Sequence, residues 1–286
     1  MTPSVSIVVP VHDMYKKLNH LVSSISELPL VNIEIILVDD FTSFEASLEI
    51  ETLIAQFAAK EIKLVKGNFG SPGAARNAGL AKATGDWILF LDSDDRLHPR
   101  ELLDYLLACP ADQIQVFQFR KLDFISGEVL EPLSRTYTTS DLVYNLGLWR
   151  IAFPGKFLTK VKFNDLRMGE DILFFLDVLH DHPDAKFLSI HTYDYVMGLG
   201  NQLTSNADAI KDLLGLLGEL EQRINSFQNI SGLVKSIYFK NTLSAVKYLG
   251  FKKSSSYIKK IANLIIWSKF DEKRNFFSIC WKLVRP

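Results

Sequence analysis

The chain has 286 residues, 48% of them apolar and 23% charged, which is enough apolar surface for a large core and excludes a disordered polymer. Its formal net charge of −1 gives no overall attraction to a polyanion, so no nucleic-acid partner is expected. Two distant cysteines, Cys109 and Cys280, show no metal or redox spacing and exclude a disulfide framework, which fits a reducing, cytoplasmic compartment.

Met1-Thr2-Pro3-Ser4 carries neither a basic region nor a long apolar core, so no signal peptide is expected, and no apolar run reaches the length of a membrane span. Val5 to Pro10 reads as a first buried strand. Residues 14–27 carry Leu18, Leu21, Val22 and Ile25 at helical spacing, and Ile33 to Val38 forms a second strand that ends in Asp39-Asp40. A helix is expected over 44–60 and a short strand from Ile62 to Val65. In the stretch Gly67 to Gly79, Ser71 can cap a helix and Pro72 can fill its first position. The small residues after Pro72 let that helix lie close to a sheet, and its free N–H groups suit a phosphate.

The next strand is Trp87-Ile88-Leu89-Phe90-Leu91, followed at once by Asp92-Ser93-Asp94-Asp95. Crowded carboxylates raise one another's cost of ionisation, and a divalent cation relieves that cost. Hard oxygen donors suit Mg²⁺ or Mn²⁺, with the remaining ligands drawn from water and substrate phosphates. A metal-diphosphate site at a strand end is one reading of these acids, and a solvated acidic turn is the other. Strands alternating with helices call for a parallel sheet with right-handed crossovers. Pro10, Asp39-Asp40 and Asp92 to Asp95 then fall at one edge of that sheet, where such folds bind ligands.

A helix is expected from Pro99 to Leu107. Gln113 to Phe124 alternates apolar and polar residues, as in a sheet with one wet face. Leu142 to Phe157 reads as a loop-rich wall; Trp149 within it suits either a stacked acceptor sugar or a packed side chain. Gly169 marks a turn, and Glu170-Asp171 open a helix whose dipole alone would favour acids there. Phe187 to Ile190 and Thr192 to Met197 read as short strands. His12 and His191 read as structural residues more readily than as ligands. From Asn206 the chain reads as helical to its end, with breaks near Asn229 and Gly250.

Five pieces in this order, Val8 to Asp13, Val38-Asp39-Asp40, Gly73 to Asn77, Leu91 to Asp95 and Gly169-Glu170-Asp171, resemble the family 2 glycosyltransferases. The resemblance implies an α/β, GT-A-type fold: a mostly parallel sheet flanked by helices. It covers residues 1–205 as a glycosyltransferase domain and leaves 206–286 as a helical C-terminal region. It implies inverting transfer of a sugar from a nucleoside diphosphate donor, a UDP-sugar on family grounds, to a hydroxyl of a glycan or lipid-linked acceptor in bacterial surface polysaccharide synthesis. Carried over residue by residue, Pro10, Val11 and Asp40 would hold the nucleobase, Arg76 would lie near the base or diphosphate, and Asp92 and Ser93 would lie near the ribose. Asp94 would ligate Mn²⁺ or Mg²⁺. Asp171 would be the catalytic base, with Glu170 beside it, and Asn201 to Thr204 resembles a loop that closes over the diphosphate.

Three other functions compete with this one. A sugar-nucleotidyltransferase would want a glycine-rich basic loop after the first strand, where this chain has Pro10-Val11-His12-Asp13-Met14-Tyr15. A phospho-receiver module would want its acid pair after the first strand and a far shorter chain. A non-catalytic sugar-nucleotide-binding protein of the same fold is disfavoured by the intact Asp94 and Asp171. The tail interleaves Lys259, Lys260, Lys269, Lys273, Arg274, Lys282 and Arg285 with Tyr257, Ile261, Trp267 and Trp281. That is the pattern of an interfacial amphipathic helix on the inner face of the membrane, and equally of helices packed on the catalytic domain or on a second copy in a homo-oligomer.

Overall fold

The computed structural model describes residues 2–12, 32–56, 62–93, 96–123, 126–131, 139–144, 146–197 and 207–267. The chain divides into two compact units. The first holds Met1–Tyr137, Gly147–Asp165 and Asp184–Leu199; the second holds Thr138–Leu146, Leu166–Pro183 and Gly200–Pro286.

The first unit is an α/β layer structure built on one mixed, mostly parallel sheet, as in GT-A proteins. Its strands are β1 (Val5–Val11), β2 (Ile33–Asp40), β3 (Ile62–Gly67), β4 (Trp87–Phe90), β5 (Arg96–Leu97), β6 (Ile114–Asp123), β7 (Val129–Glu131), β8 (Ile151–Pro154) and β9 (Ala185–Met197). Their order is β3-β2-β1-β4-β8-β6-β9-β5, with β7 beside β6. β1 pairs in parallel with both β2 and β4, and β2 with β3. β8 runs antiparallel between β4 and β6, and β6 is again parallel to β9.

The run of β-branched and aliphatic residues in β1, β2 and β4 follows from burial on both faces. Val5, Ile7, Val9 and Val11, with Ile33, Ile35 and Leu37, share one core with Ile50 and Leu53 of helix α1 (Phe44–Gln56) and with Leu102, Leu103 and Leu106 of helix α3 (Pro99–Ala108). Trp87 is wholly buried in that core, and its indole Nε1 donates to the Leu106 carbonyl at 3.0 Å. The opposite face receives helix α2 (Pro72–Leu80), which packs on β1 and β2. There a Cβ on Gly79 would stand 2.4 Å from Val8 Cγ1 and 2.9 Å from Val38 Cγ2, so only glycine permits this approach.

The wet face expected for Gln113 to Phe124 is not there. The first six residues of β6 are buried, including Gln115 and Gln118, because the strand lies inside the sheet between β8 and β9. Gln115 is satisfied by the Gln113 carbonyl and by the Tyr105 hydroxyl. The expected loop-rich wall contains a central strand, β8, flanked by the 3-10 turns Leu148–Arg150 and Gly155–Phe157. The two short strands expected at 187–197 are one, β9, whose pairing with β6 shifts register near Gln118.

The second unit is helical: α4 (Glu170–Asp181), α5 (Ala207–Ser226), α6 (Ser231–Leu249), α7 (Phe251–Trp267) and the 3-10 turn Thr139–Val143, which packs on α6. The breaks fall where expected, at the 3-10 turn Gln228–Ile230 and at Gly250, whose φ of +85° ends α6. Arg223 on α5 forks onto Asp177 of α4 with two 2.8 Å bonds and also meets Glu219. Burial opposes the charge on this guanidinium, but its two carboxylate partners outweigh burial and raise its pKa. The expected helix at 14–27 lies outside the described residues.

Candidate active site

The register of β1 determines where a ligand can enter. Its pairing with β4 ends at Val8↔Phe90, while its pairing with β2 continues to Val11↔Asp39. Past Val8 the pairing of β1 with β4 ends. The chain steps outward from β1 to β2 and β3 and then crosses back to β4 on the other side of β1, and such a switch point is where open α/β sheets place their ligand crevice, at the carboxyl ends of the strands. Pro10 needs no ladder partner for the N–H it lacks, and Val11 beside it is fully buried.

Asp40 ends β2 at the same edge. Its Oδ1 accepts from the Phe69 and Gly70 amides at 2.6 and 3.1 Å, so one oxygen staples the loop after β3. Its Oδ2 has no hydrogen bond among the described residues. His12 Nδ1 lies 2.6 Å from the Asp40 carbonyl and ties the ends of β1 and β2 together. Asp39 has a different role: it is buried, and both its oxygens are taken up by Thr42 and Ser47 at the start of α1.

The Gly67 to Gly79 stretch folds as its residue types suggest. Ser71 caps α2 by accepting from Ala74 N, and Pro72 fills the first turn. This helix end is not an open anion site, however. Ser71 Oγ also donates to the Asp165 carboxylate at 3.1 Å, and a phosphate there would meet that negative charge. Instead α2 contributes Arg76. This buried guanidinium bonds Asp92 Oδ1 at 2.9 Å and lies over the Phe163 ring. Asn77, next to it, exchanges two 2.9 Å bonds with the Phe163 backbone and holds that wall in place.

Asp92 follows β4 directly. Its carboxylate is one-third exposed, and its Oδ2 makes no hydrogen bond among the described residues. Its amide donates to the Tyr193 hydroxyl at 3.4 Å. Behind it Tyr193, Trp149 and Tyr195 form an aromatic stack, with ring centroids 4.4 and 5.5 Å from Trp149. Trp149 is 6% exposed and therefore packs inside the sheet layer rather than offering a face to a sugar. Ser93 is buried. Asp94, Asp95 and the expected Asn201 to Thr204 loop lie outside the described residues. Tyr193 and the Arg76–Asp92 pair escaped the sequence reading, since their partners lie 101 and 16 positions away.

The second carboxylate pair belongs to the second unit. Gly169, at φ +90°, precedes α4, and a Cβ there would meet Leu216 Cδ2 at 2.6 Å. Glu170 is buried and Asp171 half-buried, and Asp171 Oδ1 accepts from the Ile172 amide at 2.8 Å. In the tail, Tyr257 donates to the Leu214 carbonyl, Lys260 pairs with Glu221, and Ile261 is buried. That part of the apolar and basic face is taken up by the unit's own helices.

A parallel-centred sheet with Asp40 and Asp92 at the carboxyl ends of β2 and β4 is the architecture of the GT-A fold. The chain belongs to glycosyl transferase family 2, whose model matches residues 6–165, more than half of its length. It is 29% identical over 208 residues to a Bacillus spizizenii poly(ribitol-phosphate) β-glucosyltransferase, a match covering 67% of this chain and 31% of that one. It is 31% identical over 101 residues to the poly(ribitol-phosphate) β-N-acetylglucosaminyltransferase TarS of Staphylococcus aureus, covering 35% and 18%. The chain thus spans well under half the length of these curated relatives. The fold matches a crystal structure of S. aureus TarS in complex with UDP-GlcNAc (TM-score 0.65, 19% identity, 96% of this chain and 79% of that one). It also matches a Pyrobaculum calidifontis mannosyltransferase in complex with GDP-Man and Mn²⁺ (TM-score 0.61, 12% identity, 100% and 81%). Among the described residues, no helix is long and apolar enough to cross a membrane.

Proposed function

We propose that the protein is an inverting glycosyltransferase that takes a sugar from a nucleoside diphosphate donor, a UDP-sugar, and passes it to a hydroxyl of a glycan or lipid-linked acceptor in surface polysaccharide synthesis. What supports this reading is that Pro10 and Val11, Asp40 and Asp92 stand at the carboxyl ends of the adjacent strands β1, β2 and β4, with Arg76 bonded to Asp92. Asp40 keeps one carboxylate oxygen free of the loop it staples, and this oxygen can accept from a ring N–H of the base. The Tyr193 hydroxyl and Arg76 hold Asp92 so that its second oxygen faces outward for the ribose or a metal, with Ser93 next in the chain.

The donor set suits a hard cation: Asp92 offers a partly exposed carboxylate oxygen, and Asp94 stands two positions on. Asp94, with Asp92 beside it, would hold Mn²⁺ or Mg²⁺, which when bound stabilises the negative charge of the departing diphosphate. Asp171 is the base that takes the proton from the acceptor hydroxyl, and Glu170, buried beside it, orients it. Attack from the face opposite the leaving group inverts the anomeric carbon. The relatives, a poly(ribitol-phosphate) β-glucosyltransferase and a poly(ribitol-phosphate) β-N-acetylglucosaminyltransferase, support a surface-polymer acceptor.

The cytoplasmic membrane face is the corresponding location. Lys253 and Lys259 are exposed and are the described cations that anionic lipid would attract; Lys260 is already paired. Co-sedimentation with anionic vesicles, comparing the full chain with a truncation after Gly250, tests this. Salt-sensitive binding of the full chain alone is expected, and equal binding of both would make the tail a structural or dimer-forming element. For the site itself, calorimetry of UDP with and without Mn²⁺ is the test. Binding should strengthen with Mn²⁺ in the parent and lose that dependence in Asp94→Asn; the same Mn²⁺ dependence in both would remove Asp94 from the metal role.

A further inference from the structure

A second group of ligating side chains sits at the β9–β5 end of the same sheet, one residue along from Tyr193, whose hydroxyl accepts from the Asp92 amide. Asp194 on β9 is buried at the centre of it, its side chain 4% exposed. His98 Nε2 stands 2.8 Å from Asp194 Oδ2, and His191 Nε2 stands 2.8 Å from Oδ1. The two imidazole rings have centroids 4.4 Å apart and are tilted by 43° to one another. One ligand atom from each of the three residues lies within 4.8 Å of the others. Arg120, opposite Asp194 on β6, forks onto both carboxylate oxygens at 2.8 Å. Burial raises the cost of this carboxylate's charge, but the bonds from His191, His98 and Arg120 outweigh it and hold Asp194 well below the usual carboxylate range.

The backbone fixes the positions of these groups. β5 pairs with β9 at Arg96↔Asp194, and the His98 amide donates to the Thr192 carbonyl at 2.7 Å. His98 immediately precedes α3, and His191 and Asp194 are spaced His-x-x-Asp on one strand. Two imidazoles and one carboxylate with ligand atoms this close match the three-ligand sets that bind Zn²⁺ and similar borderline cations. A hard cation such as Mg²⁺ would prefer an all-oxygen set. Arg120 then plays the part of an outer partner that orients the ligating carboxylate.

We infer that His98, His191 and Asp194 form a transition-metal site, of the Zn²⁺ class, that clamps β9 to the segment running from β5 into α3. Its ligand chemistry differs from that of the Asp92–Asp94 pair, and the inference does not depend on the glycosyltransferase reading. By anchoring the chain at His98, the clamp restrains the stretch that begins four residues after Asp94.

The test is titration of the chelator-stripped full chain with Zn²⁺ against a chromophoric competitor, repeated with Co²⁺, whose visible absorption reports coordination number. The parent should take up one equivalent without nucleotide, with the intense Co²⁺ bands of a four- or five-coordinate site. His98→Gln and His191→Gln keep a donor toward Asp194; each should lose at least about 100-fold in affinity, beyond the range for losing an outer partner, while Asp94→Asn keeps the parent affinity. A melting curve for each variant separates lost binding from lost folding. The inference is overturned if the parent takes up no stoichiometric Zn²⁺, a result that needs no variant. It is equally overturned if both histidine variants bind as the parent does, or if uptake disappears in Asp94→Asn instead.

Discussion

Asp92 and Glu34 are both carboxylates at strand ends, and their surroundings give them opposite uses. Glu34 is buried at the amino-terminal edge of the sheet, where Lys63, Ser6 and Thr84 all donate to it. Burial raises the cost of its charge, but these donors prevail and push its pKa down to about 2 from the ordinary 4.5. A depressed carboxyl contributes stability that is fully present above its unfolded pKa and is lost as pH falls through the folded one. Glu34→Gln should therefore cost roughly 3 kcal/mol in denaturant unfolding at pH 7, and the gap from the parent should narrow as pH falls from about 4.5 toward 2. A gap that stays constant across that window would mean the network does not depend on the charge. Asp92, by contrast, keeps an exposed oxygen, and Arg76 holds the other. Arg76→Ala should weaken UDP binding roughly tenfold, the scale of one charge-assisted hydrogen bond, and lower the melting temperature as well, because it removes the buried partner of Asp92. Asp171→Asn should leave UDP affinity nearly unchanged and slow transfer by about two to four orders of magnitude; equal transfer rates would return Asp171 to a helix-dipole role.

Among the elements, α2 and the turn into α4 depend on single glycines. Gly79 lets α2 press against Val8 and Val38, and Gly79→Val should cost roughly 1–3 kcal/mol by overpacking, read by thermal unfolding. Gly169→Ala meets both a left-handed backbone and the Leu216 side chain. It should cost about 1–3 kcal/mol and slow transfer more than it weakens donor binding, because it displaces Asp171. Unchanged transfer in a destabilised variant would separate that turn from catalysis. The elements legible in the sequence were those with a local signature: the apolar runs of β1, β2 and β4, the Ser71-Pro72 cap, and the Gly169 turn. β8 was not legible, because Ile151-Ala152-Phe153-Pro154 is too short to show a period and its proline argues against a central strand. Pro154 is tolerated there because it lies at the strand's end, opposite Trp87. β6 misled for a related reason. Its glutamines look solvent-facing in sequence, yet Gln115 finds its partners inside the protein.

For the whole molecule, convergence was the legible feature. Parallel pairing brings Pro10, Asp40 and Asp92 to one sheet edge, and the sequence pattern alone predicted that much. What it could not show were contacts between distant positions: Tyr193 under the Asp92 amide, Asp165 at the Ser71 cap, and His98 beside His191 around Asp194. Each joins residues with no shared local pattern. The central claim is that these parts form a metal-dependent, inverting sugar transferase. It is tested most directly by diphosphate release from a panel of nucleoside diphosphate sugars, with and without Mn²⁺, in the parent and in Asp94→Asn. The account predicts that one donor, a UDP-sugar, is turned over only with Mn²⁺ and that Asp94→Asn abolishes this turnover. Release that ignores the metal and survives Asp94→Asn, or no release from any donor, would contradict it.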